Sequence, residues 1–400
     1  MMTMFRMPSL TRKQYFAIAM VVLLAVPAGT AWNLLARNFA PKLELRIGRG
    51  LRGVVEPPKP FEWSWRAFAN GDNQRAMAYE ATQAVPIRNG IIRINNQIRY
   101  KLFGQFGAPG ILRGNDGHLI EKPYLDEYCS RNLAAIQAPA RLWVSQLKEL
   151  QDAIVARGHV FIYLLTPSKV AHFPEAFVDR YPCAAPKKDR EGKVPAYVAM
   201  LKQAGINVVD GATLTHSMKG KYEFGMFPQG GVHWNQLAVA YSANALVSEI
   251  NRQRQTRAIP PLEWTYKISS NVTGEDRDLL DLLNILLPRP DYTVPIVSYT
   301  PRQCGAETKL DVAVIGGSFI HTLAEALARG GCLHGLKSYN YLYYGQRGGP
   351  EYKVLKGRMT PDDVRPIGNA DVVILEENES IIPQKDGHAF ELYQLLLGKK

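Results

Sequence analysis

Short apolar runs alternate with longer amphipathic stretches along residues 138–380. The runs have the length of strands, whereas the longer stretches carry apolar residues at helical spacing, and several end at a glycine. Continuous apolar strands that alternate with helices are typical of a parallel sheet covered on both faces. We therefore predict an α/β fold with a central, mostly parallel sheet. The predicted strands are 159–165, 206–210, 311–315 and 371–375, and the predicted helices are 140–158, 194–205, 235–252 and 318–330.

The start of the chain has a different pattern. Arg6, Arg12 and Lys13 precede an uncharged apolar stretch that is long enough to cross a bilayer as a helix. We predict an uncleaved signal-anchor with the rest of the chain outside the cytoplasm; the alternative is a secretory signal that is cleaved at Ala31. The predicted parts are a cytoplasmic tail at 1–13, a transmembrane helix at 14–36, a linker at 37–60 and a main domain at 61–400 that begins with a helical cap at 61–128.

The composition adds a strong positive charge. The formal net charge is +12 and the sequence pI is about 9.4, which favours an acidic partner such as an anionic membrane or an acidic polymer. The basic residues are spread along the chain and no nucleic-acid-binding motif is present, so we expect no nucleic acid partner.

The sequence does not decide whether the four cysteines form disulfides or remain free thiols. Cys129, Cys183, Cys304 and Cys332 form no CxxC pair, and we predict no metal site. In an exported protein, four cysteines allow two disulfides in three connectivities. Four buried thiols are the alternative.

The turn after the third predicted strand carries a candidate nucleophile. Gly316 and Gly317 permit a sharp turn, which leaves the hydroxyl of Ser318 at the strand end and at a helix start. The free N–H groups of a helix start suit a developing oxyanion. The alternatives are that Ser318 only caps the helix, or that the turn holds a phosphate, although neither GxGxxG nor a Walker lysine is present.

A serine hydroxyl needs a base, and His233 is the candidate among eight histidines. It lies in a glycine-rich loop just before a predicted helix. Neutral imidazole, with a pKa near ~6.5, can accept the proton and return it. Trp234 is predicted to pack against the core and to fix the imidazole. The alternative is that the two rings form an ordinary aromatic pair at a helix start.

Six stretches in a fixed order carry a family resemblance. They are IRYKLFG at 98–104, GNDGHLIE at 114–121, LLTPSKVAHFPE at 164–175, GGVHWN at 230–235, GGSF at 316–319 and DVVILEENES at 371–380. Together they resemble the alginate O-acetyltransferase family, with His118 where an aromatic residue is usual. The resemblance implies an SGNH-hydrolase-like three-layer sandwich over roughly 85–380, nearly everything outside the predicted anchor.

The resemblance also implies catalytic roles. Ser318 would be the acetyl-accepting nucleophile and His233 its base. The family's acid lies two positions before the histidine, where this chain has Gly231. Because an acid normally holds the imidazole tautomer, we take Asp210 as the first candidate for a replacement and Glu223 as the second. The alternatives are a serine–histidine dyad and an impaired site.

The oxyanion hole is expected to include the backbone N–H of Ser318 and a second donor. Gly317 stands where the family's GDSF turn has an acid. The candidates for oxyanion or substrate contacts are Gly317, Tyr343 and Asn378. The tyrosine-rich stretch around Tyr343 could line a sugar groove, or it could form an aromatic core strand.

The resemblance implies transfer of an acetyl group through an acyl-serine to a hydroxyl of an acidic or otherwise exported polysaccharide in the periplasm. It implies no bound cofactor, because a membrane-bound O-acyltransferase partner would relay the acetyl group across the bilayer. The further expected partners are the polysaccharide and the membrane. The rival functions are a polysaccharide acetyl-esterase, a non-catalytic polysaccharide-binding factor and a Rossmann-type nucleotide binder.

Overall fold

The computed structural model describes residues 11–53, 57–255, 259–340, 345–348, 351–354, 360–383 and 388–398. The chain divides into two units. The first unit contains Met1–Pro109 and Asp281–Pro288, and the second contains Gly110–Leu280 and Arg289–Lys400. The second unit holds the predicted sheet together with Ser318, His233 and Asp210.

The regular secondary structure among the described residues of the first unit is helical. The longest helix, α1 (Arg12–Phe39), is the one helix of the described residues that is apolar and long enough to cross a membrane. Part of the segment predicted as a linker returns along it, because Asn33 Nδ2 donates to the carbonyl oxygen of Leu45 at 2.9 Å. The other helices are α2 (Trp65–Ala69), α3 (Asp72–Ala84) and α4 (Arg88–Ile98), and α4 continues into a π-helical turn at Arg99–Phe103.

The second unit is built on a seven-stranded sheet and two small hairpins. The described strands are β1 (Ile111–Arg113), β2 (Leu119–Glu121), β3 (Val160–Thr166), β4 (Val208–Asp210), β5 (Trp264–Ser269), β6 (Val294–Tyr299), β7 (Leu310–Gly316), β8 (Leu333–Asn340), β9 (Gly345–Gly348), β10 (Glu351–Val354) and β11 (Val372–Asn378). The sheet order is β10-β9-β8-β7-β11-β3-β4. The five strands from β8 to β4 are parallel, and β9 and β10 pair antiparallel at one edge. All four predicted strands are confirmed.

Helices cover both faces of this sheet. The helices of the second unit are α5 (Lys122–Ser130), α6 (Leu133–Val155), α7 (Lys169–His172), α8 (Pro174–Phe177), α9 (Lys187–Gln203), α10 (Gly211–His216), α11 (Gln236–Arg254), α13 (Ile320–Arg329), α14 (Pro361–Gly368) and α15 (His388–Leu397). A further helix, α12 (Asp278–Leu282), has residues in both units. The four predicted helices correspond to α6, α9, α11 and α13 and are confirmed. Both α6 and α9 start earlier than predicted.

Alternation along the strands separates two hydrophobic cores. Ile162 and Leu164 of β3 pack in the core that includes α11 and α13, whereas Phe161 and Leu165 pack in the core that includes α6 and α9. Every residue of β3 is buried, which explains why the strand reads as one continuous apolar run. The predicted α/β three-layer sandwich is therefore confirmed.

Several parts of this unit were not predicted. They include the strands β8 to β10, the β1–β2 and β5–β6 hairpins and the C-terminal helix α15, which lie outside the regular alternation of the central region. Most residues of β5 are exposed, so the strand carries no buried apolar run that would reveal it. The pattern therefore found the four neighbouring strands β7, β11, β3 and β4, but not the three strands that extend the sheet on the other side of β7.

The cysteines pair within the second unit. Cys129 is bonded to Cys183, and Cys304 is bonded to Cys332. Of the three possible connectivities, the structure has the one in which the first cysteine is bonded to the second and the third to the fourth. The alternative of four free thiols is wrong.

A buried lysine ties the residues after β3 to the loop that precedes α11. Lys169 is fully buried, and burial holds its pKa well below the usual value. Its ammonium donates, at 2.7–2.9 Å, to the carbonyl oxygens of Leu119, Pro228, Gln229 and Gly231. An ammonium has three N–H donors, so the four oxygens are held around one donor group. The shape of the loop at 228–231 therefore depends on this side chain.

We expect Lys169→Met to lower the free energy of unfolding by about 3 kcal/mol, because it removes a charged donor from four buried carbonyl oxygens. Lys148→Met is the matched control, since Lys148 forms an exposed i,i+4 pair with Asp152 and its loss should cost less than about 1 kcal/mol. Urea denaturation of both variants measures the difference. Equal losses in the two variants would contradict the role given to Lys169.

Candidate active site

The turn between β7 and α13 presents the serine. α13 begins at Ile320 with Phe319 at the N-cap position, and no side chain caps it. Ser318 is therefore not the N-cap, and that alternative is wrong. Its hydroxyl lies 2.7 Å from Nε2 of His233. A Cβ at Gly316 would lie 2.6 Å from Ile320 Cγ2, so only glycine fits where the turn leaves the strand.

The histidine is held on both sides of its ring. Nε2 of His233 faces Ser318, and Nδ1 lies 2.6 Å from a carboxylate oxygen of Asp278. Phe319 packs against the imidazole, with 5.0 Å between the ring centroids. Trp234 is buried, as predicted, and its indole N–H donates to Thr322 Oγ1 at 3.2 Å. The two segments that the sequence singled out thus meet at one site.

Asp278 supplies the acid that is absent at Gly231. It is the first residue of α12, and its second carboxylate oxygen accepts from the backbone N–H of Val232 at 3.0 Å. One carboxylate therefore fixes both the ring of His233 and the backbone that precedes it. Ser318, His233 and Asp278 form a serine–histidine–aspartate relay in hydrogen-bond contact.

The prediction of Asp210 as the acid is wrong. Asp210 caps α10, where its carboxylate accepts from the backbone N–H of Thr213 at 2.9 Å. Two strands, β3 and β11, separate β4 from β7, which places the ends of β4 and β7 ~14 Å apart at a strand spacing of ~4.8 Å. The second candidate, Glu223, is an exposed residue and is not the partner of His233.

Gly231 makes room for the acid. A Cβ at this position would collide with the carbonyl oxygen of Glu275 and would lie 3.0 Å from the carbonyl carbon of Asp276. The segment that leads to Asp278 therefore passes through the space that a side chain at 231 would need. The backbone N–H of Leu280 also donates to Gly230 at 3.0 Å, which holds this segment against the histidine loop.

The glycine before the nucleophile is held by a buried acid. The backbone N–H of Gly317 donates to a carboxylate oxygen of Glu376 at 2.7 Å, so Gly317 is not an oxyanion donor. Glu376 lies on β11, next to β7, and its other oxygen accepts from the hydroxyl of Thr166. Burial raises the pKa of Glu376 to about 7. This carboxyl group braces the nucleophile turn from the neighbouring strand.

The remaining oxyanion candidates have different outcomes. Asn378 is buried and its side-chain amide donates to the carbonyl oxygen of Pro167 at 2.8 Å, so it holds the end of β3 rather than a ligand. Tyr343 lies outside the described residues. The backbone N–H of Ser318 stays a prediction.

Carboxylates dominate the electrostatics around the imidazole. Burial alone lowers the pKa of His233, but the hydrogen bond and charge of Asp278, together with Glu275 and Glu121, raise it above the usual value. Burial also raises the pKa of Asp276 to about 7. The site therefore stabilises the imidazolium that forms when His233 takes a proton.

A cavity of about 560 Å³ lies alongside these residues. Its wall includes Trp234, which follows His233, and Thr322, from the first turn of α13. Glu275, Asp276 and Glu325 contribute carboxylates to the lining, and none of the described residues that line it is Lys or Arg. The net charge of +12 therefore does not extend into this cavity.

The fold and the site define an SGNH-hydrolase-like α/β domain with a serine–histidine–aspartate relay. Residues 114–327 match the family model described as an SGNH hydrolase-like domain, acetyltransferase AlgX. The match covers just over half of the 400-residue chain and includes all three relay residues. The chain belongs to this family. No curated protein sequence matches it.

Several solved structures are similar. The O-acetyltransferase domain of Pseudomonas putida AlgJ is 17% identical, with a TM-score of 0.48 over 72% of this chain and 99% of that one. Pseudomonas aeruginosa AlgX is 15% identical, with a TM-score of 0.47 over 72% of this chain and 68% of that one. Bacillus cereus PatB1 with a sulfonyl adduct is 9% identical, with a TM-score of 0.45 over 72% of this chain and all of that one, at 100%. The family assignment rests on the match over 114–327.

Sequence reasoning missed Asp278 for an identifiable reason. The signal was a short acidic run, GEDRD at 274–278, directly before an apolar stretch. The run ends 45 positions after His233 and does not follow a predicted strand. The expectation that site residues lie at the carboxyl ends of parallel strands therefore does not identify it. A search for acidic runs between elements would have found it, although it would not have distinguished Asp278 from Glu275 or Asp276.

We expect Asp278→Asn to lower the pKa of His233, because the carboxylate stabilises the protonated ring through its hydrogen bond and its charge. Asp278 keeps the ring charged to a higher pH, so the titration midpoint should move to lower pH in the variant. NMR titration of the imidazole measures it. Asp210→Asn is the matched control and should leave the midpoint in place. A midpoint that does not move in Asp278→Asn, or moves equally in both, would show that Asp278 is not the acid.

Proposed function

We propose that this protein is a polysaccharide O-acetyltransferase that works through an acetyl-Ser318 intermediate. The observation that carries the proposal is the relay of Ser318, His233 and Asp278, with 2.7 Å and 2.6 Å between the successive partner atoms. Its membership of the AlgX acetyltransferase family supports acetyl transfer as the reaction. The intact relay also argues against the rival of a non-catalytic factor, which the loss of an acid at Gly231 had suggested.

The reaction follows from the geometry. Ser318 Oγ attacks the carbonyl carbon of the donor's acetyl group while Nε2 of His233 takes the hydroxyl proton. The donor's leaving group departs with that proton, and an acetyl ester remains on Ser318. A sugar hydroxyl then attacks the ester, His233 takes its proton, and the proton returns to Oγ as the serine–acetyl bond breaks. Asp278 stabilises the imidazolium in both halves.

The route of the acetyl group follows from the predicted topology. If α1 is a signal-anchor, the second unit works in the periplasm, where cytoplasmic acetyl-CoA does not reach it. A membrane-bound O-acyltransferase partner that carries acetyl across the bilayer would then load Ser318. The apolar character of α1 supports this arrangement. We therefore propose an inner-membrane, single-pass protein that binds no cofactor of its own.

The acceptor is a polysaccharide without dense negative charge. The net charge of +12 suggested an acidic polymer, but the cavity beside the relay is lined by Glu275, Asp276 and Glu325 and by no described Lys or Arg. Glu325 is paired with Arg329 outside this lining, and the pKa of Asp276 is raised to about 7, so the lining is weakly acidic. Like charges in a partly desolvated cleft repel, so a polyuronate would bind there less well than a neutral polymer or one that carries amino groups. We propose the latter two classes as acceptors.

Ser318→Ala should lower acetyl transfer from a chromogenic acetyl ester to a saccharide by about 10³-fold or more, because no other hydroxyl lies against His233 in the described structure. Ser248→Ala, at an exposed position of α11, is the control and should keep full activity. Mass spectrometry of the quenched native enzyme should find one acetyl group on Ser318. Release of acetate alone, with no acetylated saccharide, would favour the esterase. Unchanged activity in Ser318→Ala would overturn the proposal.

For acceptors of equal length, kcat/KM should be about tenfold higher with a glucosamine oligomer than with a uronate oligomer, which corresponds to about 1.4 kcal/mol. Glu325→Lys should reduce this preference, because it reverses one charge on the wall of the cavity without touching the relay. Asp152→Lys, an exposed position on α6, should leave the preference unchanged. A uronate preference in the native protein would show that the acceptor does not lie in this cavity.

A further inference from the structure

The helix α4 in the first unit has its apolar side outward. Ile91, Ile94, Ile98 and Leu102 recur at spacings of three and four residues, which places them on one face of the helix and its following turn. These side chains are exposed, from 48% for Ile94 to 72% for Leu102. Phe103 at the end of the same turn is 65% exposed. A helix that packs on a domain normally buries this kind of stripe.

Polar side chains hold the opposite face of α4 to its own unit. Asn96 is 7% exposed and its side-chain amide donates to the carbonyl oxygen of Leu283 at 3.0 Å. Arg93 donates to the carbonyl oxygens of Ile285 at 3.1 Å and Gly50 at 2.7 Å. These directional bonds fix the rotation of the helix about its axis. The outward stripe is therefore a consequence of specific contacts and not of a frayed helix end.

The apolar surface extends beyond α4. Leu286 and Leu287, which belong to the same unit, are exposed as well. The backbone N–H of Leu287 donates to the side-chain oxygen of Gln97 at 3.0 Å, which places this pair beside α4. We call the surface of Ile91, Ile94, Ile98, Leu102, Phe103, Leu286 and Leu287 the α4 face. Exposed apolar patches of this kind mark contact sites for proteins or membranes.

The position of α4 near α1 favours a membrane over a protein as the partner of the α4 face. A Cβ at Gly29 would lie 2.8 Å from Pro86 Cγ, and Asn33 Nδ2 donates to the carbonyl oxygen of Ala84 at 2.8 Å. The segment that leads into α4, at Ala84 and Pro86, is therefore packed against the C-terminal half of α1, and α4 begins two residues later at Arg88. A helix of 28 residues is ~42 Å long and exceeds the ~30 Å hydrocarbon core, so this half approaches or leaves the bilayer surface when α1 spans.

The charges around the α4 face match an anionic lipid surface. Residues 88–109 contain Arg88, Arg93, Arg99 and Lys101 and no acidic residue. Arg99 and Lys101 are exposed beside the stripe. An apolar stripe bordered by basic residues is typical of helices that lie in the headgroup region of a bilayer.

We propose that the α4 face lies in the interface of an anionic phospholipid bilayer, next to the point where α1 leaves the membrane. The proposal rests on the anchor role of α1 in the proposed function. Ile91, Ile94 and Leu102 insert among the outer acyl segments, and Arg99 and Lys101 contact phosphate groups. The first unit is thus a membrane-bound platform rather than a free spacer.

The test uses the full chain in vesicles of phosphatidylglycerol and phosphatidylcholine. All four cysteines are paired, so an introduced cysteine is the single reactive thiol. A polarity-sensitive fluorophore at Ile94→Cys should shift to the blue and be quenched by nitroxides placed high on the acyl chains. The same label at Lys148→Cys, in the second unit, should report water. A label at Val21→Cys reports separately whether α1 is inserted.

Charge variants sharpen the result. Arg99→Glu with Lys101→Glu should lower the ratio of docked to undocked label by about fivefold for each positive charge removed, and raised salt should act in the same direction. Arg99→Lys with Lys101→Arg should retain docking.

Two outcomes overturn the proposal. If the label at Val21→Cys is quenched by lipid nitroxides while the label at Ile94→Cys remains in water, the anchor holds and the α4 face does not bind lipid. If the Ile94→Cys label becomes apolar only when a membrane protein is added to the vesicles, the occupant is that protein. Acetyl transfer in solution is measured independently, so the catalytic proposal stands or falls apart from this one.

Discussion

The ammonium of Lys169 is the interaction on which the candidate site depends. It gathers four backbone carbonyl oxygens from two separate parts of the chain, three of them from the loop at 228–231. That loop contains two glycines and carries His233 at its end, so it has little shape of its own. With the loop fixed, the N–H of Val232 and the ring of His233 point at the same carboxylate. The lysine thus acts on the imidazole through the backbone and without touching it.

The acid of the relay does not have to come from the segment that carries the histidine. A relay requires a carboxylate at Nδ1 of the imidazole, and any segment that delivers one meets this requirement. Here α12 delivers Asp278, and Gly231 leaves the space that its segment needs. At the nucleophile turn, Glu376 from the adjacent strand binds the N–H of Gly317. Carboxylates from elsewhere in the fold therefore hold both His233 and the residue before Ser318.

The sequence predicted the parts of the structure that have short-range causes. Strands buried on both faces appear as apolar runs, so the centre of the sheet and its covering helices were found. Ser318 and His233 were found because glycines and a helix start flank them. Asp278 was missed because its role depends on a contact across 45 positions, and Asp210 was chosen because sequence does not show that two strands lie between β4 and β7. The environment of His118 could not be predicted from sequence either. Burial, with Lys169 nearby, lowers the pKa of His118 to about 3. Its ring packs 4.8 Å from that of Phe173, as an aromatic residue at this position would.

The collision at Gly231 has a consequence for the way such chains are compared. An aspartate at 231 and the present path of residues 275–278 exclude each other, so neither can be exchanged without the other. A chain changing from one arrangement to the other must alter two distant segments together, and each change alone leaves the histidine without its partner. Surveys that judge competence by a D-x-H motif would discard this chain as a pseudoenzyme, whereas pairing a glycine at that position with an acidic run upstream of the nucleophile would recover it.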